Sequence, residues 1–409
     1  MTDVMPSATP DWATEFDHTK EDYAADAPAI WDELRERCPV AHTEAHGGVW
    51  LPTRHEDVSA VAKDTEHFSS EGIVVSPFKP VGLAPMGYAP PITSDPPFHA
   101  EARRLLLPAF SPKEIERWEP ATRDTCDELL DEILSSGDDV VDAASRYAQH
   151  IPVRVIAEML GLPREDGDRF RGFIHRILEK PGQFSDVPYE ETLVHYLTQV
   201  ITQRRRDHDD RDDLIGYLLK AEMAGQPLSD EHVFGTLALL IIAGIDTTWS
   251  AIGASLWHLA HHPEDRQRML EDPDVIPFAI EEFLRFYAPV TMARIAATDT
   301  EIGGCPVAER DWILLAFPAA NRDPEAFEQA DEFVIDRQRN RHLAFGLGIH
   351  RCVGSNLARM ELRVAVESWL QRIPEFELAT PDPSAVRWST GQVRGPRELP
   401  VRIPQGGTP

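Results

Sequence analysis

The sequence predicts a mainly α-helical protein with a small β-region, carried on a single domain. Three observations predict it. From Ile115 to Leu219, segment after segment places apolar residues three and four apart, the period of an amphipathic helix. Ser229 to about His261 reads as one long helix whose centre, Leu237 to Gly244, is apolar on all faces and so belongs in a core. Short stretches such as Val49-Trp50-Leu51-Pro52-Thr53 read as strands. A length of 409 residues by itself suggests two or three domains. No composition break, repeat or low-complexity segment divides the chain, however, and one large domain is consistent with that.

Composition narrows the function. A formal charge of −29 argues against nucleic acid and anionic membrane as partners. A hydrophobic fraction of 42% is ample for a sizeable core. Cys38, Cys126, Cys305 and Cys352 show neither paired nor metal-type spacing, which fits a reducing, cytoplasmic setting. Met1 to Trp12 has no cationic start and no apolar core, so it does not read as a signal peptide. The apolar run Leu237 to Gly244 is too short to span a bilayer and is closed by Asp246, so a soluble protein is expected.

Ala27 to Arg37 reads as an amphipathic helix ending before Pro39, Val49–Thr53 as a strand that Pro52 marks as an edge, and His55 to Asp64 as a helix. Phe68 to Pro91 is a long loop, rich in Gly and Pro, carrying Ser69, Ser70, Ile73, Val74, Ser76, Phe78, Leu83, Met86 and Tyr88. Loops of that length are usually functional or disordered. Asp95-Pro96-Pro97 predicts a helix start with Asp95 as cap. His99 and Arg103 then share a helical face; by residue type alone this is a solvated charged face, which Glu101 and Arg104 extend. Val140–Ala148 and Ile151–Leu162 carry helical spacing, with Gly161 and Pro163 as a stop. Lys180-Pro181-Gly182 to Pro188 is a break, and the charge run from Arg204 to Asp213 a solvated turn.

In the long helix, Ser229 is the expected cap, with Asp230 and Glu231 in the first turn. An acid and two threonines, Asp246-Thr247-Thr248, interrupt its apolar centre, where polar groups are costly unless bonded. Gly244 weakens the helix there, and the Thr247 hydroxyl can reach the Ala243 carbonyl, so a local opening is expected. Glu282-Phe283-Leu284-Arg285 sets a carboxylate and a guanidinium three apart. That is ordinarily a surface pair, but the segment Pro277–Phe286 is otherwise apolar, which makes a buried, bidentate pairing plausible.

The densest signal is Phe345-Gly346-Leu347-Gly348-Ile349-His350-Arg351-Cys352-Val353-Gly354. Its glycines describe a tightly turned backbone that lets something approach closely. Ser355 to Leu362 then reads as a helix start, so Cys352 lies near unpaired N–H groups that favour a thiolate. A thiolate with no partner cysteine suits metal ligation; a lone cysteine in such a place is otherwise a buried, inert thiol. The whole pattern, Phe-Gly-x-Gly-x-His-x-Cys-x-Gly, resembles the haem-binding loop of the cytochrome P450 family.

That resemblance runs from about Ala27 to Ile403 and includes further motifs in the family's order. It implies the single-domain cytochrome P450 fold over residues 27–409, with 1–26 as a partly disordered N-terminal extension. It implies haem b (iron protoporphyrin IX) as cofactor and Cys352 as the axial ligand of its iron. Phe345, Gly346 and Gly354 are then haem-loop residues. Asp-Pro-Pro-x-His-x-x-x-Arg makes His99 and Arg103 propionate ligands, joined by Arg294 and His350. Ala243-Gly244-x-Asp246-Thr247-Thr248 resembles the oxygen-activating segment, with Ala243 beside the haem, Thr247 steadying activated dioxygen and an ordered water, and Asp246 relaying protons. Glu282, Arg285 and Arg337 match a structural lock behind the loop, and Ala320-Asn321-Arg322-Asp323-Pro324 a structural turn. Ile73, Val74, Val290, Met292, Gln392 and Val393 are the implied substrate contacts.

The activity so implied is insertion of one atom of O2 into a small organic substrate, by hydroxylation or oxidative dealkylation. Electrons are expected from a separate ferredoxin-type donor with an NAD(P)H-dependent reductase, since no flavin or iron–sulfur segment follows the haem loop. Arg337, Arg339, Arg341, His342, Arg351 and Arg359 cluster in sequence around the loop, as an acidic partner's docking patch or simply as solubilising charge. Two alternatives share the same loop: a peroxide-driven or isomerising haem–thiolate enzyme, and a haem sensor or carrier without turnover.

Overall fold

The computed structural model describes residues 10–75, 89–179, 187–208 and 211–404. Ser76, Phe78, Leu83, Met86 and Tyr88 of the long loop, and most of the break from Lys180 to Pro188, lie outside these residues.

The helices that carry the core are Glu119–Ser136, His150–Leu160, Leu193–Arg206, Asp230–His261 and Ser355–Arg372. Helix Asp230–His261 crosses the middle, packed on His150–Leu160, Leu193–Arg206 and Ser355–Arg372. It is long and apolar enough to span a membrane, yet 78% of its most apolar window is buried within the protein, so it is the core helix. Ser229 caps it, accepting from the His232 N–H at 3.1 Å. It runs unbroken through Gly244. The expected opening is therefore absent from its backbone, although Thr247 Oγ1 does donate to the Ala243 carbonyl at 2.9 Å. Packing on three sides holds the helical ladder that glycine and threonine would loosen in isolation.

The β-region is a five-stranded sheet in the order Val40–Thr43, Val49–Pro52, Trp312–Ala316, Thr291–Ala296, Phe68–Ser69. Its residues alternate between two cores. Ala41, Ala293, Ile295, Trp312 and Leu314 face one cluster, and Val40, Ala296, Ile313 and Leu315 face the other. Val49–Pro52 is an interior strand, not the edge that Pro52 suggested. Its parallel pairing with Trp312–Ala316 stops at Trp50, and Pro52 faces only Val40, so the missing N–H removes no ladder bond on the other side.

Two further elements differ from expectation. Val140–Asp142 is a strand paired with Pro400–Arg402, followed by a π-helical turn at Ala144–Ala148; two β-branched valines meeting a free strand edge outweigh the helical spacing. The first long helix begins at Glu21, and Trp12, Phe16 and Tyr23 are buried against one face of the sheet. Residues 10–26 thus pack as part of the fold.

What fixes the loop behind the site is one buried ion-pair network. Glu282 and Arg285 sit on helix Ile276–Phe286 with side chains fully buried, bonded bidentately at 2.7 and 2.8 Å. Arg337 Nε donates to both Glu282 oxygens at 3.0 and 3.2 Å, and the Val334 N–H and Asn340 amide also donate to them. Arg285 spends its remaining protons on the carbonyls of Asn321, Ala330 and Glu332. Asn321 returns a bond to the Arg285 carbonyl and accepts the Leu343 N–H at 2.6 Å, two residues before the loop begins. Removing one partner strands a buried charge. Arg285→Ala is expected to destabilise by about 3–5 kcal/mol, whereas Asp336→Ala, which breaks the half-exposed Arg268 pair, costs under about 1 kcal/mol; chemical denaturation of the two variants measures the contrast.

Candidate active site

The loop closes on itself. Cys352 N–H donates to the Phe345 carbonyl at 2.8 Å, and Gly346 N–H to the Leu343 carbonyl at 2.8 Å. Gly346 and Gly348 adopt φ of +63° and +64°, a region that disfavours side chains. A Cβ on Gly348 would also lie 3.0 Å from the Ala62 carbonyl. Arg359, held by Glu281 at 2.6 and 2.8 Å, covers the Phe345 ring at 4.5 Å. Cys352 precedes helix Ser355–Arg372, as its spacing predicts. It opens onto a cavity of about 1490 Å³ of empty space, counting its mouth. Burial pushes the thiol up, against a hydrogen bond from Gly354 and the charges of Arg103, Arg351 and Arg359. The helix end alone therefore does not deliver a thiolate; a cation against the sulfur would.

The same cavity is lined by His99, Arg103, Arg294 and His350, four basic groups from three places in the chain, since His99 and Arg103 share helix Phe98–Leu106. Arg294 is buried and pushed down to about 10 by that burial, with Asp95 acting against it. His99 and His350 stack edge to face at 4.3 Å. Burial first, then neighbouring arginines, holds both imidazoles below their usual range. His99 Nε2 is buried with no hydrogen-bond partner among the described residues. Asp95 does not cap the following helix as expected; its carboxylate instead takes the Ser70 N–H at 2.9 Å and the Ser69 hydroxyl at 2.5 Å. Crowded donors around an orphaned nitrogen suit a group with two carboxylates. With a sulfur donor lining the same space, these residues fit haem.

Helix Asp230–His261 supplies another wall through Leu239, Leu240, Ala243, Gly244, Thr247, Thr248 and Ala251, one face at helical spacing. Asp246 points elsewhere. It is fully buried and held by Arg397, at 2.6 and 3.1 Å, whose guanidinium also covers the Trp249 ring at 4.6 Å. Arg397 was missed in the sequence: it lies 151 positions away, and nothing local marks it.

Of the expected substrate contacts, Val290 and Met292 line the cavity. Ile73, Val74, Gln392 and Val393 do not. Ile73 is buried with its carbonyl accepting the Ala293 N–H, Gln392 takes the Thr291 N–H on its own carbonyl, and Val393 pairs with Val290. These segments extend the sheet edge, and their backbones brace the wall that Val290 and Met292 present. Ile92, Leu284 and Pro289 line it instead. The basic patch is also smaller than its sequence clustering suggests. Arg337 serves Glu282, and His342 and Arg359 both serve Glu281, which leaves Arg339, Arg341 and Arg351 exposed.

Behind the cavity, Glu361 is buried and bonded to Thr248, and burial raises it to about 8. A raised folded-state value means that the folded protein keeps a proton which the unfolded chain loses near its ordinary value of 4.5. The stability so contributed is complete below that value and is lost as pH rises toward 8. Glu361→Gln removes the titration; its Tm is expected to gain on the parent's as pH rises from 5 to 8, which thermal melts across that range measure.

The cytochrome P450 family model matches residues 183–392. The chain is 34% identical to the mycinamicin IV hydroxylase/epoxidase of Micromonospora griseorubida, over 91% of this chain and 94% of that protein. It is 36% identical to the nocardicin C N-oxygenase of Nocardia uniformis subsp. tsuyamanensis, over 90% and 92%. Its fold is similar to that of the cytochrome P450 PksS of the Bacillus subtilis 168 bacillaene polyketide synthase, with a TM-score of 0.85 and 29% identity, covering 95% of this chain and all of that one. Taken with a cysteine loop, a cluster of basic groups and a core helix around one cavity, these likenesses establish that the chain belongs to the cytochrome P450 family and is a haem–thiolate monooxygenase using haem b.

Proposed function

We propose that this enzyme oxygenates an apolar organic molecule, with Cys352 as the residue whose sulfur would bind the haem iron and Asp246 and Thr247 delivering protons. The observation that carries the reading is that one cavity is lined at once by the Cys352 thiol, the basic cluster and the Thr247 face of the core helix. His99, Arg103, Arg294 and His350 would hold the haem carboxylates, and the buried state of His99 Nε2 supports that assignment. When bound, haem with a thiolate ligand supplies the oxygen-activating and electron-accepting chemistry.

The protein's own part is proton placement and the exclusion of water. Thr247 Oγ1 spends its proton on the Ala243 carbonyl, so its lone pairs remain to accept from a donor in the cavity. Asp246 lies one residue back, locked by Arg397. Relay through Asp246 requires that pair to open toward solvent, which makes Arg397 the gate of the relay. The wall formed by Ile92, Leu239, Leu240, Leu284, Val290 and Met292 holds the substrate by shape and apolar contact.

Electrons come from a ferredoxin with its NAD(P)H-dependent reductase, in a cytoplasmic setting. The exposed Arg339, Arg341 and Arg351 beside the loop suit an acidic donor. The reduced protein under carbon monoxide is expected to give a thiolate-type spectrum that Cys352→Ser abolishes; an imidazole-type spectrum in the parent overturns the ligand assignment. Thr247→Ala is expected to keep oxygen consumption while product per O2 falls. Asp246→Asn is expected to slow turnover about 100-fold or more, the scale of lost general-acid delivery. Turnover assays with product and O2 counted together test both.

A further inference from the structure

Away from the haem cavity, the N-terminal strap meets the first hairpin of the sheet. Asp17, His18 and His46 place one ligand-type atom each within 4.8 Å of one another. His46 Nε2 lies 2.8 Å from Asp17 Oδ1, and its side chain is only 7% exposed. The His46 backbone has φ +55°, in the turn at Ala45–Gly47, an uncommon conformation for histidine that turns the ring inward on the strap. His18 is buried, its ring edge to face with that of His46 at 5.7 Å. Its ring bonds the backbone carbonyl of Val75, the arrangement in which a carbonyl orients a metal-ligating histidine, and the Gln392 amide lies 3.5 Å from its Nε2.

We propose that Asp17, His18 and His46 form a structural site for a divalent transition ion of zinc type. Two imidazoles and one carboxylate make a donor set that such an ion prefers over magnesium or calcium. The ion would take the place of the proton now shared between His46 and Asp17, and water would complete a tetrahedron. Thr19 already donates to Asp17 from both its N–H and its hydroxyl, which orients the carboxylate.

The site has a reason to matter for the substrate wall. His18 reaches Val75 through its ring, and its carbonyl accepts the Gly391 N–H at 2.9 Å. Ile73 and Gln392, each two residues or fewer from those contacts, bond the backbone of Ala293 and Thr291. That strand carries Met292 into the cavity. An ion at His18 thus stiffens the support of the wall without touching the haem.

The test uses the haem-loaded protein and Zn2+ alone. Competition against a chromophoric chelator is expected to find about one tight equivalent, weakened about tenfold or more in His46→Asn and in Asp17→Asn. Asparagine tolerates the positive φ at 46 and keeps the Thr19 bonds at 17, and an unchanged haem spectrum with parent-like circular dichroism certifies that each variant is folded. Asp64→Asn/His67→Gln, which removes an exposed His–Asp pair elsewhere, is expected to leave the tight equivalent in place. Zinc is also expected to slow hydrogen exchange at 73–75 and 391–393 in the parent only. Absence of a stoichiometric equivalent in the parent, or parent-like affinity in a folded His46→Asn, overturns the site; exchange that zinc leaves unchanged overturns its link to the wall.

Discussion

A thiol buried beside an apolar cavity stays protonated unless positive charge lies against the sulfur. Cys352 is in that position: the Gly354 N–H and three arginines draw its ionisation down, and burial outweighs them. The basic groups around the same cavity have the complementary problem, since burial disfavours the charged forms of Arg294, His99 and His350, and the neighbouring arginines hold both imidazoles down further. A flat dianionic group carrying a metal cation resolves both at once, by placing a cation on the sulfur and carboxylates among the donors.

Holding such a group requires a stiff frame, and the frame is the Glu282–Arg285–Arg337 network. Arg285 gathers carbonyls from residues 321, 330 and 332, and Asn321 carries the connection to Leu343. Buried ion pairs are poor sources of net stability because desolvation offsets their attraction. What this one supplies is position: it ties the irregular stretch before the loop to a helix, where no regular ladder is available. The core helix works the same way for Asp246. A carboxylate inside an apolar helix is tolerable because Arg397 arrives from the C-terminal segment with two bonds and a ring beneath it. The acid is thus paired and withheld from the cavity by the same contact.

How much of this was legible follows from how local each signal is. The Cys352 loop, His99 with Arg103, and Glu282 with Arg285 each sit within one helix or one turn, so spacing showed each pair as neighbours, while the roles assigned to them came from the family resemblance. The Thr247 bond to Ala243 was readable for the same reason. Arg397 was not, because its partner is distant in sequence. Val140–Asp142 was misread as helix because its spacing suits either period, and only the strand at Pro400–Arg402 decides between them. Ile73 and Gln392 were expected as substrate contacts because the segments that carry them resemble the family's pocket roof and pocket hairpin. Their backbones belong to sheet pairing, and in a strand a one-residue step separates the face that lines a cavity from the face that does not.

That last distinction bears on how the enzyme can choose among substrates. An apolar pocket distinguishes one methylene from none by only about 1–3 kcal/mol, so selection by Ile92, Leu239, Leu284, Val290 and Met292 depends on shape being held still. Val290 and Met292 are held in part by neighbouring backbones, through Val393, Gln392 and Ile73, and Met292 also by packing against the core under the sheet. Substitutions at those neighbours would therefore move the wall without entering the cavity. Under the proposed reading, specificity would rest as much on the sheet edge and the strap that packs against it as on the side chains a substrate would meet.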